Sequence, residues 1–104
     1  MEFYVPEVMA EFPGGKEALY QFLTDNIKYP ESAKKKKIQG TVWVSFFIEK
    51  DGSISHVKVD HGISPELDKE AIRVVKLMPK WEPATQRGKP IRIATLLPVK
   101  FSLK

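Results

Sequence analysis

A chain of 104 residues has room for one domain with a modest core, not for two. Apolar residues at 42 % and charged residues at 29 % follow ordinary globular usage, so disorder is not the default, and the absence of cysteine excludes a disulfide framework and thiolate metal sites. The net charge of +4 mildly favours acidic or neutral partners and does not by itself indicate nucleic acid. No apolar run reaches bilayer length and no basic-then-apolar leader precedes a small-residue cleavage site. Any anchor or export signal is therefore expected outside this sequence.

Residues 1–15 carry Pro6, Pro13 and the Gly14-Gly15 pair and read as an extended lead-in, parts of which can lie against a sheet. Residues 16–104 read as a single domain. From Lys16 to Ile27, Leu19, Phe22, Leu23 and Ile27 share one helical face. Pro30 pushes Tyr29 out of the helical region and stops that helix. A second short helix is expected from Pro30 to about Lys37, ending in Ile38-Gln39-Gly40. Val42, Val44, Phe46 and Ile48 then alternate with Thr41, Trp43, Ser45, Phe47 and Glu49, giving a strand that is apolar on one face and partly so on the other. Lys50-Asp51-Gly52-Ser53 signals a hairpin, because Asp-Gly supplies the positive φ values of a tight turn. The second strand, Ile54 to Val59, breaks phase between Ile54 and Val57, which a bulge near Ser55-His56 would reconcile.

Ser64-Pro65-Glu66 opens the next helix with an N-cap hydroxyl, proline at the first position and acids in the first turn. Leu67, Ala71, Val74, Val75 and Met78 form its buried stripe, and Pro79 and Pro83 close it. Glu82 to Pro90 reads as a polar loop, and from Ile91 to Leu103 the chain alternates as a third strand. The hairpin makes the first two strands antiparallel, and a right-handed crossover makes the third parallel to the second. The fold class is therefore α+β: a three-stranded antiparallel-type sheet of order 2-1-3, a split β-α-β arrangement packed on helices. Pro98 fits that order, since proline within a strand belongs on an edge. The third strand is thus a long edge, and an unpaired edge can be completed by an extended peptide. Arg92, Ile93, Ala94, Thr95, Leu96 and Leu97 are the candidate docking residues.

Other chemistries find little support. Lys34–Lys37 reads as a solvated helix end that suits the dipole, in preference to a phosphate-binding patch, so nucleic acid is not an expected partner. His56, His61 and Asp60 are the nearest approach to a metal set, but positions 56 and 61 of one strand point to opposite faces, so no metal or cofactor is expected. Asp51, Asp60, Glu66 and Asp68 have structural explanations, and Ser45, Ser53, Ser55 and Ser64 have no base at motif spacing. The chain does not read as an enzyme. Trp81 reads as a core residue. Trp43 and Phe47 share the second face of the first strand, which either the N-terminal segment covers or a partner uses.

Four motifs carry a resemblance: Tyr29-Pro30 with Ala33; Ile38-Gln39-Gly40-Thr41-Val42; Asp51-Gly52-Ser53-Ile54; and Pro79-Lys80-Trp81-Glu82-Pro83-Ala84. In this order and spacing they resemble the C-terminal domain of TonB proteins. The likeness is strongest to the Bacteroidetes-type versions, with Phe12-Pro13-Gly14-Gly15, Gln86-Arg87-Gly88-Lys89-Pro90 and Leu97-Pro98-Val99 also in place, and it spans Phe12 to Phe101. The resemblance implies the periplasmic end of an energy transducer, whose N-terminal helix sits in the inner membrane with ExbB and ExbD. This end would grip outer-membrane transporters by pairing their TonB-box peptide with the last strand, flanked by Lys28 and Tyr29. The membrane helix and proline-rich linker would lie outside this chain. It also leaves a weak homodimer open, and a runner-up in which the same fold serves as a self-association or sensor tail of a signalling or peptidase-like membrane protein.

Overall fold

The Asp-Gly turn and the helix cap at Ser64 set the frame on which the rest is hung. The computed structural model describes residues 8–103. Along it run α1 (Gly15–Asn26), α2 (Glu31–Lys35), β1 (Gly40–Ile48), β2 (Ile54–His61), α3 (Pro65–Lys76), β3 (Ala84–Gln86), β4 (Lys89–Ile91) and β5 (Ile93–Phe101). The main sheet has the order β2-β1-β5 with both pairings antiparallel, the α+β arrangement expected from the crossover.

Both signals of the hairpin and helix are realised, with one change. Only Gly52 takes a positive φ, of 88°, while Asp51 stays on the ordinary side and its carboxylate accepts the Ser53 N–H at 2.9 Å. Gly52 is needed for a second reason: its carbonyl accepts the Trp81 N–H at 2.8 Å, and a Cβ built there would stand 2.0 Å from the Trp81 carbonyl oxygen. The Ser64 hydroxyl caps α3 by accepting the Leu67 N–H at 3.3 Å. α2 is shorter than expected, because Lys37 turns to a φ of 55° and the chain leaves the helix.

The core lies between the inner face of the sheet and the helices. Val42, Val44, Phe46 and Ile48 of β1, Leu97, Val99 and Phe101 of β5, and Leu67, Ala71, Val74 and Val75 of α3 are all buried. Phe12 joins them, edge-on to Trp81 at 5.5 Å and tilted against Phe22 at 5.6 Å, so Trp81 is the core residue its sequence context suggests.

Two expectations are corrected. Glu82 to Pro90 is not a featureless loop: Ala84–Gln86 and Lys89–Ile91 pair as a small second sheet, closed by Arg87 and Gly88 at positive φ. The third predicted strand is accordingly split. Ile91 ends β4, Arg92 stands in the break, and β5 starts at Ile93. Loop composition hid the short pair, because polar and glycine-rich residues suit a two-residue turn as well as a loop. Of the lead-in, residues 1–7 lie outside the described residues. Val8 bridges Thr85 and Glu11 bridges Glu82, both antiparallel, so this part runs beside the small sheet.

Candidate peptide-docking edge

β1 is saturated on both sides, by β2 and by β5, and this leaves β2 and β5 as the edges of the main sheet. The pairing of β1 with β5 runs through nine consecutive residue pairs, Gly40↔Phe101 to Ile48↔Ile93, without a register shift. Among the described residues no strand pairs with the second side of β5. Pro98 stands opposite Trp43 and has no N–H to give, so it fits the ladder where the N–H direction faces away from β1. The two-residue alternation of a strand then aims the N–H and C=O groups of Ala94, Leu96 and Lys100 outward in the same way. The side chains alternate too: those of Ala94, Leu96 and Lys100 are exposed, whereas Leu97, Val99 and Phe101 are buried.

β2 is a poorer edge. Its register against β1 shifts twice, between Trp43 and Val44 and between Ser45 and Phe47, so extra residues sit near Asp60 and at His56-Val57. The second shift is the bulge expected from the phase break at Ser55-His56, and His56 adopts a φ of 53° there. Bulges twist and interrupt an edge, which blunts it toward a new strand.

The bulges also change where the histidines point. His56 packs edge-on against Phe47 at 5.4 Å, and His61 stands opposite Trp43, so both lie on the outer face and the expectation of opposite faces fails. A simple two-residue alternation cannot count the inserted residues. Even so, no group of three metal-ligating side chains forms among the described residues. The outer face is open: Trp43 and Leu96 are exposed, and the described N-terminal residues lie on the core side through Phe12.

Of the six edge candidates, Ile93 to Leu97 fall in β5, in one run. Arg92 precedes it and folds back, its guanidinium 4.0 Å from the centre of the Phe47 ring and its Nε 3.0 Å from a Glu49 carboxylate oxygen. Ser55 donates to the same Glu49, and the Arg92 Nη2 approaches the His56 Nδ1 at 3.4 Å. Arg92 thus pins the start of the edge strand to β1 and β2.

Lys28 and Tyr29 reach their places through a polar lock. The Lys28 N–H donates to Glu70 Oε2 at 2.6 Å, and Arg73 grips both oxygens of Glu70 at 2.6 and 2.7 Å while its Nη2 also donates to the Asn26 carbonyl. Burial pushes the Glu70 carboxyl up, but the Arg73 and Lys28 hydrogen bonds outweigh it and hold the group below the usual carboxylate range. The bond to Glu70 raises Arg73 in turn. Beyond the lock, the Tyr29 ring meets Phe101 edge-on at 5.7 Å and its hydroxyl donates to the Ile38 carbonyl. Tyr29 therefore stands at the C-terminal end of β5, while the Arg92–Leu97 run occupies the other end.

One feature of the edge escaped the sequence reading. A cleft of ≈ 640 Å³ opens between α1 and β5, with Tyr20, Leu23 and Thr24 on one wall and Pro98, Lys100 and Ser102 on the other. The only sequence signal for it is that Tyr20 and Thr24, four residues apart, form a second face of α1 beside the buried stripe.

These features define a class: a small α+β domain with a split β-α-β sheet, one blunted edge and one regular edge left unpaired. The family model described as Gram-negative bacterial TonB protein C-terminal matches residues 25–103, and the chain belongs to that family. Two NMR solution structures of the Helicobacter pylori TonB C-terminal domain, of different lengths, share the fold. Each has a TM-score of 0.64 and 27 % identity; the first covers 85 % of this chain and 92 % of its own, the second 88 % and 87 %. No curated protein matches the chain significantly.

Proposed function

We propose that this domain docks the TonB-box peptides of outer-membrane TonB-dependent transporters by adding them as a strand to the free side of β5. It would act as the periplasmic C-terminal end of an energy transducer whose inner-membrane part works with ExbB and ExbD to drive nutrient uptake. The observation that carries this reading is the edge itself: nine unshifted pairs hold β5 in register against β1, and its other side lacks a partner strand among the described residues. Main-chain groups supply the attraction in such pairing, and flanking side chains supply the choice of partner. Membership of the TonB C-terminal family supports the choice of partner. The role is binding, not catalysis.

A strand of about six residues buries far less than a standard interface of ~1,600 Å², and it loses its disorder on docking. The isolated peptide should bind at about micromolar affinity or weaker. The test is an amide-shift titration of the labelled domain with a transporter TonB-box peptide. Shifts should centre on Ala94, Leu96 and their β5 neighbours. Shifts confined to β2 would refute the reading.

A further inference from the structure

We infer that the cleft between α1 and β5 is a side-chain subsite for the docked peptide, taking one large apolar residue with an acidic neighbour. This inference rests on the strand-addition reading and adds to it what selects one peptide over another.

The sheet side of the cleft is made by Pro98, Lys100 and Phe101 of β5, with Ser102 just beyond the strand and Thr41 of β1 alongside. Pro98 and Lys100 belong to the alternate set whose main-chain groups face away from β1, so the cleft adjoins the C-terminal part of the free edge. A strand added to β5 would lie about 4.8 Å outside it. A peptide paired at Leu96 and continued past Pro98 enters the cleft. Lys100 lies four residues beyond Leu96. At ~3.3 Å per residue this places the anchor ~13 Å along the peptide from the residue opposite Leu96.

Tyr20, Leu23, Ile27, Tyr29 and Phe101 give the cleft an apolar lining, and Lys100 is the one charged residue among its described lining. An apolar side chain gains by leaving water there, and a carboxylate beside it meets Lys100 instead of a like charge. Pro98 gives the cleft a further role. It withholds a hydrogen bond in the middle of the edge, so a peptide crossing it gains from a side-chain anchor on the far side. The helical wall is separate from the pairing strand: Tyr20, Leu23 and Thr24 belong to α1.

The test uses overlapping blocked dodecapeptides tiled across the periplasm-facing N-terminal arm of an outer-membrane TonB-dependent transporter from the same organism. The tightest peptide is alanine-scanned against the wild-type domain, Thr24→Trp, which fills the cleft, and Tyr20→Ala, which removes a wall. Both positions are exposed on α1, so the fold should survive, as an unchanged amide spectrum outside the cleft would verify. One apolar position, about four residues from that opposite Leu96, should lose about tenfold in affinity on replacement by alanine. Against Thr24→Trp and Tyr20→Ala the same replacement should cost less than about twofold, and the amides of Tyr20 and Thr24 should shift only with the intact peptide. Shifts at Ala94 and Leu96 without such a position, or with a penalty unchanged in both variants, would overturn the subsite and leave strand addition standing. No β5 shift with any peptide would overturn both.

Discussion

Leu96→Pro isolates the main-chain contribution to docking. The Leu96 N–H faces away from β1, so a proline there leaves the β1–β5 ladder intact, as Pro98 already does two residues on. What it removes lies on the free side. A peptide carbonyl loses its donor, at about 1 kcal/mol for the bond and about 1–3 kcal/mol if that carbonyl is left buried and unpaired. With the proline ring intruding on the space of the incoming strand, about 2–3 kcal/mol is a fair total, or roughly 30- to 150-fold in affinity. Binding that starts near micromolar would then be lost from a normal titration. Leu96→Ala keeps the N–H and trims a side chain that is 50 % exposed, so it should cost less than about fivefold. Thr95→Val, on the inner side of the same strand, should stay within about twofold. Thr95→Pro should instead destabilise the whole domain by breaking the ladder to Phe46. Calorimetry with a transporter peptide reads the affinities, and urea unfolding separates docking from folding. A folded Leu96→Pro that binds within threefold of wild type would refute edge pairing.

Gly52→Ala should lower stability by about 3 kcal/mol or more, seen as a fall in Tm of at least about 12 °C, because a left-handed φ and a Cβ 2.0 Å from the Trp81 carbonyl oxygen act together. Pro98→Thr restores a donor on the free edge and should raise the dimer fraction in sedimentation, whereas the wild type should remain monomeric at micromolar concentration. Lys35→Glu with Lys36→Glu removes one exposed ion pair, Lys36 with Glu66 at 3.6 Å, and should fold normally and bind peptide within about threefold of wild type at physiological salt. The Glu70 carboxyl is lowered from its ordinary 4.5 in the folded state, so its contribution is complete above that value and is lost as pH falls through the lowered one. As pH falls below about 4.5 the wild type should therefore lose stability more steeply than Glu70→Gln, whose own deficit at neutral pH should be about 1–3 kcal/mol; parallel curves would contradict the lock.

The parts of the fold that were legible share one property: their signals are local. Ser64 and Pro65 cap and open α3 by contacts within its first turn, and the phase break between Ile54 and Val57 records its bulge within four residues. The order β2-β1-β5 followed from crossover handedness and from Pro98, both chain-level rules. What stayed hidden depends on distant partners. Ala84–Gln86 becomes a strand because Lys89–Ile91 lies opposite and Val8 bridges Thr85. Lys28 is held by Glu70, 42 residues away, and nothing near either residue announces it. The cleft beside β5 needs α1 laid along a strand some seventy residues later, which no periodicity reveals.

The same contrast explains why the edge run and its flank are built differently. Leu97, Val99 and Phe101 are buried, so the C-terminal half of β5 is fixed by the core. Ile93 and Thr95 are only half-buried, so the half proposed to receive a peptide has less apolar area to hold it. Two other devices fix it instead. The unbroken pairing with β1 sets its register, and Arg92, clamped between Phe47 and Glu49, sets where it starts. A strand held by register and a clamp can keep its outer main-chain groups in line while its side chains stay free of the core. In strand addition the incoming peptide reads the main chain before any pocket, so straightness at Ala94 and Leu96 counts for more than the identity of their side chains. On the strand-addition reading Arg92 is a positioning residue: its charge is already engaged by Glu49, and what it would offer a peptide is a strand that begins in the right place.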